Sequence, residues 1–246
     1  MIVRGAAAWS VAAILVARAA PADVPPARRP ARDAGAVARE PIIDRVAARF
    51  WAPETGGPSH PRFIDDRSLA FEARLAAMGE RQQGLGEGYE ERHVRDALDH
   101  AVCEEMLASL AYKLIAELPA GKRPAETDLA RIQSDLGAAA FDRVGGRDRV
   151  DQAAAAEGLD GADVDAILRR QALAAWYLDR VVTPVLAPSD EQLREVFRTS
   201  AHPFRGQRYE AARPAFARWL VFDLVRTAEG AFLQAARSRV KLVIEP

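Results

Sequence analysis

The 246-residue sequence holds a single cysteine, Cys103, which excludes an internal disulfide and lies too far along the chain to carry an N-terminal lipid. Histidine is scarce as well. His60, His93, His100 and His202 are scattered, and none stands beside a serine or cysteine with an orienting carboxylate, so a nucleophilic triad would have to be assembled entirely by tertiary structure. Excess charge of either sign is missing: 34 Lys and Arg against 35 Asp and Glu leave a net charge of −1, which gives no electrostatic case for nucleic acid or a strongly anionic membrane as principal partner. No apolar run reaches the roughly 20 residues that span a bilayer, because Ala6 to Ala17 is broken off by Arg18. Gly84-x-Gly86-x-Gly88 follows no expected strand and lacks the third glycine at dinucleotide-binding spacing, so it reads as a helix connector. Asp160 to Asp165 fits helix capping better than a calcium loop. His100 and Cys103, three apart on one helix, could meet one metal ion only with ligands from elsewhere; the competing reading of Cys103 is a small core residue. Nothing here implies a cofactor.

What is present suits one folded domain: 49% of residues are apolar and 28% charged, enough to bury a sizeable core and too balanced for disorder. Residues 1–22 read as a signal peptide, with Arg4 ahead of an apolar stretch and the small residues around Ala17 to Ala22 offered for cleavage. The alternatives are an uncleaved anchor or a buried alanine-rich helix. Residues 23–40, rich in Ala, Arg and Pro without apolar period, read as a flexible linker in which Arg28, Arg29 and Arg32 either keep the chain solvated or touch anionic lipid or sugar. Residues 41–246 form the domain, exported to the periplasm if the address is read correctly.

Within the domain, Ile42 to Phe50 alternates with the period of a half-buried strand, Trp51 to Pro61 is a Pro- and Gly-punctuated loop, and Arg62-Phe63-Ile64 returns antiparallel to the first strand. Helices are expected over Ser68 to Met78, ended by Gly79, and over Tyr89 to Leu118, with Val94, Leu98, Val102, Met106, Leu110 and Leu114 buried. Glu126 to Ala140 carries Leu129, Ile132 and Leu136, and Gly145-Gly146 separates it from Asp148 to Glu157, with Gly158 as C-terminal cap. Asp160 caps a helix with Val164, Ile167, Leu168, Gln171, Ala175, Leu178 and Val182 on its apolar stripe, stopped by Pro184. Ser189 to Gln192 has capping-box spacing ahead of Leu193, Val196 and Phe197. Pro214 to Ser238 forms the last helix, and Val240 to Glu245 alternates like a strand. A lone strand at each end of a helical domain leaves backbone groups unsatisfied, so the two are expected to pair. The expected fold class is mostly α, a multi-helix domain with a small antiparallel β element joining the N- and C-terminal strands.

In this order the pieces resemble the N-terminal domain family of SurA-type periplasmic chaperones. Ile42-Ile43-Asp44-Arg45-Val46-Ala47-Ala48 resembles that family's opening strand, and Ile64-Asp65-Asp66-Arg67 the turn after it. The segments from Leu98 to Leu107, Leu168 to Leu178 and Pro188 to Phe197 look like three successive helices, and Val240 to Ile244 like the final strand. Two features depart from the pattern: Trp51 to Pro61 is inserted, and the polar start of the first helix is poorly kept at Ser68 to Ala73. A third concerns chemistry. Complete family members often carry parvulin-type prolyl isomerase domains before the last helix, whereas here only Thr199 to Arg213 intervenes and no Gly-Gly-Asp-Leu-Gly motif occurs.

The resemblance therefore implies a chaperone-like protein, not an enzyme, that binds unfolded outer-membrane or secreted polypeptides without prolyl isomerisation, with no nucleic-acid partner and no stable membrane insertion after signal cleavage. An apolar groove edged by charge would serve such clients, and Trp176, Tyr177, Phe197, Trp219 and Phe222 are candidate peptide-binding residues, each equally able to fill the core. The alternatives are a dedicated envelope scaffold with one specific partner and an envelope enzyme with a clustered acid or base in a deep pocket.

Overall fold

The computed structural model describes residues 45–81 and 88–245. The expected signal peptide, the linker, the opening residues of the first strand and most of the glycine-rich connector lie outside the described residues.

Strands β1 (Val46–Trp51), β2 (Arg62–Asp65) and β3 (Lys241–Ile244) form an antiparallel sheet in the order β2-β1-β3, so the two ends of the domain do pair. Between β2 and β3 the chain is helical: α1 (Asp66–Arg81), α2 (Glu91–Glu117), α3 (Glu126–Val144), α4 (Arg147–Ala156), α5 (Gly161–Tyr177), α6 (Asp190–Thr199) and α7 (Tyr209–Arg237). The mostly-α class with a small β element is what the alternation at the two ends predicts.

The sheet's inner face carries Ala48, Phe50 and Ile64, which pack with Leu69 and Ala73 of α1 and with Ala97, Ala101, Val102 and Met106 of α2. Helix α2 runs through the centre. Its expected stripe is buried only at Val102 and Met106; Val94, Leu98, Leu110 and Leu114 are half-buried. With Met106, the deepest are His93, Cys103, Glu104, Ala108 and Ala111, because helices pack against α2 from more than one side and small residues let them approach. Cys103 is a core residue, packed with Leu107, Ile132, Leu136, Ala172, Leu178 and Val225, and burial pushes its thiol well above the usual range.

Capping chemistry sets several boundaries where the sequence places them. Asp160 Oδ1 accepts from the amides of Ala162 and Asp163 at 2.8 and 3.1 Å. Ser189 Oγ accepts from the Gln192 amide at 3.2 Å while Gln192 Oε1 accepts from the Ser189 amide at 2.8 Å. Helix α3 ends where the amides of Gly145 and Gly146 both donate to the Phe141 carbonyl, at 3.0 and 2.7 Å, with Gly145 at φ 89°.

Other boundaries differ: the helix expected to end at Ala140 runs on to Val144. Helix α1 does not end at Gly79 but runs through it to Arg81, and the glycine is there for space: a Cβ at this position would lie 2.7 Å from Arg143 Cδ and 2.8 Å from Cγ of α3. Gly79→Ala is accordingly expected to destabilise the protein by about 1–3 kcal/mol, measured by urea unfolding, although alanine is the better helix former. Pro184 does not stop α5. A π turn over Leu178–Val182, in which the Thr183 amide donates to the Leu178 carbonyl, widens the helix ahead of the proline, and the chain continues as a helical turn to Leu186. Helix α7 begins at Tyr209 rather than Pro214, which sits inside it.

Candidate peptide-binding site

The register of the sheet determines which backbone groups remain available. The Glu245 amide donates to the Ala47 carbonyl at 3.0 Å, and Ala48, Arg49, Phe50 and Trp51 lie opposite Ile244, Val243, Leu242 and Lys241. In an antiparallel ladder hydrogen-bonded and non-bonded pairs alternate. Residues 241, 243 and 245 therefore turn their amides and carbonyls toward β1, and Leu242 and Ile244 turn theirs outward. Among the described residues no strand pairs with that edge. The two side chains stay on the inner face but overhang the helices, leaving Leu242 40% and Ile244 68% exposed.

A hollow opens near each end of this edge. One, about 360 Å³, is lined by Trp51, Ala52, Pro53, Gly57, Pro58, Arg239 and Lys241. Its wall is fixed by the loop after β1, where Gly56 and Gly57 take φ of 108° and 77° and the buried Thr55 hydroxyl donates to the Ala52 carbonyl at 3.0 Å. Lys113 of α2 holds the same loop by donating to the Glu54 carbonyl at 2.8 Å, and Arg239 pairs with the Glu54 carboxylate at 2.9 Å. Two cations lie over the Trp51 ring, the Arg49 guanidinium 5.2 Å and the Lys241 ammonium 5.4 Å from its centroid. The second hollow, about 340 Å³, includes Ala47, Leu69, Val94, Leu98 and Ile244 among its lining, with Arg45, Glu91, Arg95 and Glu245 at its rim. An extended backbone laid along β3 would find amides and carbonyls at Leu242 and Ile244 and an apolar hollow near either end.

The five aromatic candidates fall into two other places. Trp176, Tyr177 and Phe222 pack, half-buried, against the central core around Cys103 and Val225. Phe197 and Trp219 join a separate cluster around the fully buried Phe216, with ring centroids 5.0 and 5.7 Å from it. None of the five lines either hollow. The link from α6 to α7 closes over that cluster: His202 Nε2 lies 2.8 Å from the Phe197 carbonyl and its Nδ1 accepts from the Phe204 amide at 3.1 Å.

Trp51, Leu242 and Ile244 were not among the sequence-derived candidates. Trp51 reads as the first loop residue because Pro53 and two glycines follow it, and its place in the sheet depends on Lys241, far along the chain. The alternation at Val240 to Glu245 was legible as a strand; that it would be an edge was not.

The other histidines also lie apart. His60 bonds the Gly56 carbonyl at 3.2 Å, His100 the Asp96 carbonyl at 2.6 Å, and buried His93 sits between the Glu90 amide and the Glu80 carboxylate. Among the described residues no three His, Cys, Asp or Glu side chains converge as metal ligands, and no helix is long and apolar enough to cross a membrane.

Ionisable groups do converge at one buried point, between α1, α2 and α5. Arg170 Nη2 donates to Glu72 at 2.7 Å and lies 3.4 Å from Glu104, and the two carboxylate side chains are 10% and 3% exposed. Burial, reinforced by the Glu72 charge, pushes Glu104 up to about 8. Glu72 is also raised, again by burial, against the opposing pull of Arg170 and His100. The neighbouring cavity, lined by Phe71, Leu75, Ile167, Leu168 and Gln171 among others, holds only about 20 Å³, room for about one water and not for a substrate. The cluster is an internal tie between three helices. Compared with family models, with curated proteins and with solved structures, the chain has no significant match.

Proposed function

We propose that this chain is a non-catalytic, chaperone-like protein of the cell envelope that binds extended, apolar stretches of unfolded outer-membrane or secreted polypeptides along the β3 edge. The observation that carries the reading is the edge at Leu242 and Ile244, paired with no strand among the described residues and flanked by two hollows of about 360 and 340 Å³ with apolar walls. Backbone hydrogen bonds to an edge strand are indifferent to client sequence, and hollows on either side favour large apolar side chains at alternate positions, the pattern of a nascent barrel strand. The site is short, so affinity is modest and release needs no nucleotide. The SurA-type resemblance read from the order of the elements points the same way, and the short link between α6 and α7 supports reading the chain without an inserted isomerase domain.

The test is suppression of aggregation when several urea-unfolded outer-membrane barrels are diluted into the chain from Ala22 onward, with a prolyl-peptide isomerisation assay on the same sample. Protection of several clients without isomerisation is expected. Protection of a single client would favour a dedicated scaffold, and isomerisation would contradict the reading. Trp51→Ala, which removes one wall of a hollow, is expected to weaken protection at least about threefold, the loss of roughly one aromatic contact, while helical circular dichroism is retained.

A further inference from the structure

We infer that two copies of this chain pair edge to edge through β3, in an antiparallel register centred on Val243. The backbone restricts the register, and the side chains choose within that restriction. Only Leu242 and Ile244 turn amide and carbonyl outward, so a second β3 can bond only where its own outward residues meet them. With Val243 opposite Val243, Leu242 of each copy faces Ile244 of the other in hydrogen-bonded pairs, and the sheet continues through both copies as β2-β1-β3-β3-β1-β2.

The side chains agree with that register. Leu242 and Ile244, exposed in the single chain, lie against each other on one face. On the other face, Lys241 of each copy stands opposite Glu245 of the other in the non-bonded pairs, where side chains approach most closely and opposite charges stabilise. Lys241 is available for this: it lies over Trp51 and has no carboxylate partner among the described residues. Glu245 would stand between its own Arg49, 3.3 Å away, and the incoming lysine. Neighbouring registers are poorer. Centred on Ile244, Glu245 faces Val243; centred on Leu242, Lys241 faces Val243; either loses the Lys241–Glu245 pairs. A twofold axis at Val243 makes the same short segment, Lys-Leu-Val-Ile-Glu, complementary to itself.

The pairing covers the edge proposed above for clients, yet the register argument needs no client and its test uses none, so the two stand or fall separately. Sedimentation of the full chain over a range of concentrations is compared for wild type, Lys241→Glu, Glu245→Lys and the double variant, with circular dichroism to check folding. A reversible monomer–dimer equilibrium is expected. Each single reversal places like charges opposite one another twice and should weaken the dimer about tenfold or more. The double reversal restores both opposite pairs and should return the dissociation constant to within about threefold of wild type. A monomer at every concentration, singles that dimerise like wild type, or a double variant as weak as the singles would each overturn the pairing.

Discussion

Arg170→Met is expected to cost about 3–5 kcal/mol of folding stability, the loss typical when one partner of a buried ion cluster is removed. Arg170 is the only cation in bonding contact with Glu72 and Glu104 among the described residues, and those carboxylates come from α1 and α2 while the arginine comes from α5. Methionine keeps much of the volume, so the cost is electrostatic: a largely buried carboxylate bonded at 2.7 Å loses its donor. Replacing all three residues by apolar ones of similar size is expected to recover most of the stability, because the cluster's desolvation penalty disappears with its charges. Urea unfolding of the two variants checks both statements. An Arg170→Met protein within 1 kcal/mol of wild type would mean that water reaches the cluster.

The same cluster makes stability depend on pH in an unusual direction. Most carboxylates are depressed in the folded state and favour folding as pH rises. Glu104 is raised, from an ordinary 4.5 to about 8, because burial and the Glu72 charge both oppose its ionisation. The folded protein then holds a proton that the unfolded chain releases. This contribution is fully present below pH 4.5, shrinks as pH rises, and is lost by the time pH has passed 8. Stability is expected to fall between pH 5 and pH 9 by on the order of a few kcal/mol. Glu104→Gln, neutral throughout, should flatten that decline and exceed wild type at pH 9. The groups acting on Glu104 are Glu72 of α1 and Arg170 and Gln171 of α5; His100 of α2 acts on Glu72, and Glu105 of α2 on Arg170 and on Arg62 of β2. His100→Gln, measured over the same range, separates that neighbour's share. A wild-type protein whose stability rises from pH 5 to pH 9 would contradict the assignment.

Local chemistry was legible in the sequence wherever the deciding groups are neighbours in the chain. Asp160, the Ser189–Gln192 box and Gly145-Gly146 each complete their own hydrogen bonds within a few residues, and Leu129, Ile132 and Leu136 needed only a helical period. Gly79 misleads because its reason is Arg143, on another helix. Pro184 misleads because a π turn absorbs its missing amide before the helix has to end. The buried ion cluster was invisible for the same reason as Gly79: Arg170 reaches residues 98 and 66 positions earlier. One trace of it was readable, since Gln171 falls on an apolar stripe where a polar residue implies a polar partner. For the candidate site, aromatic residues on helices drew attention first, yet packing turned those rings largely inward. Trp51 and the edge residues are set by a pairing between the two ends of the domain, which strand alternation announces but whose open side it does not.

The most direct measurement is amide chemical-shift mapping of the isotope-labelled protein, kept dilute enough to be monomeric, while an unfolded barrel-strand peptide with alternating aromatic residues is titrated in. Binding along the edge moves the backbone amides of Leu242 and Ile244 and the Trp51 indole together, with one dissociation constant. Shifts confined to the Phe197 and Trp219 cluster, or no shifts at millimolar peptide, would contradict it.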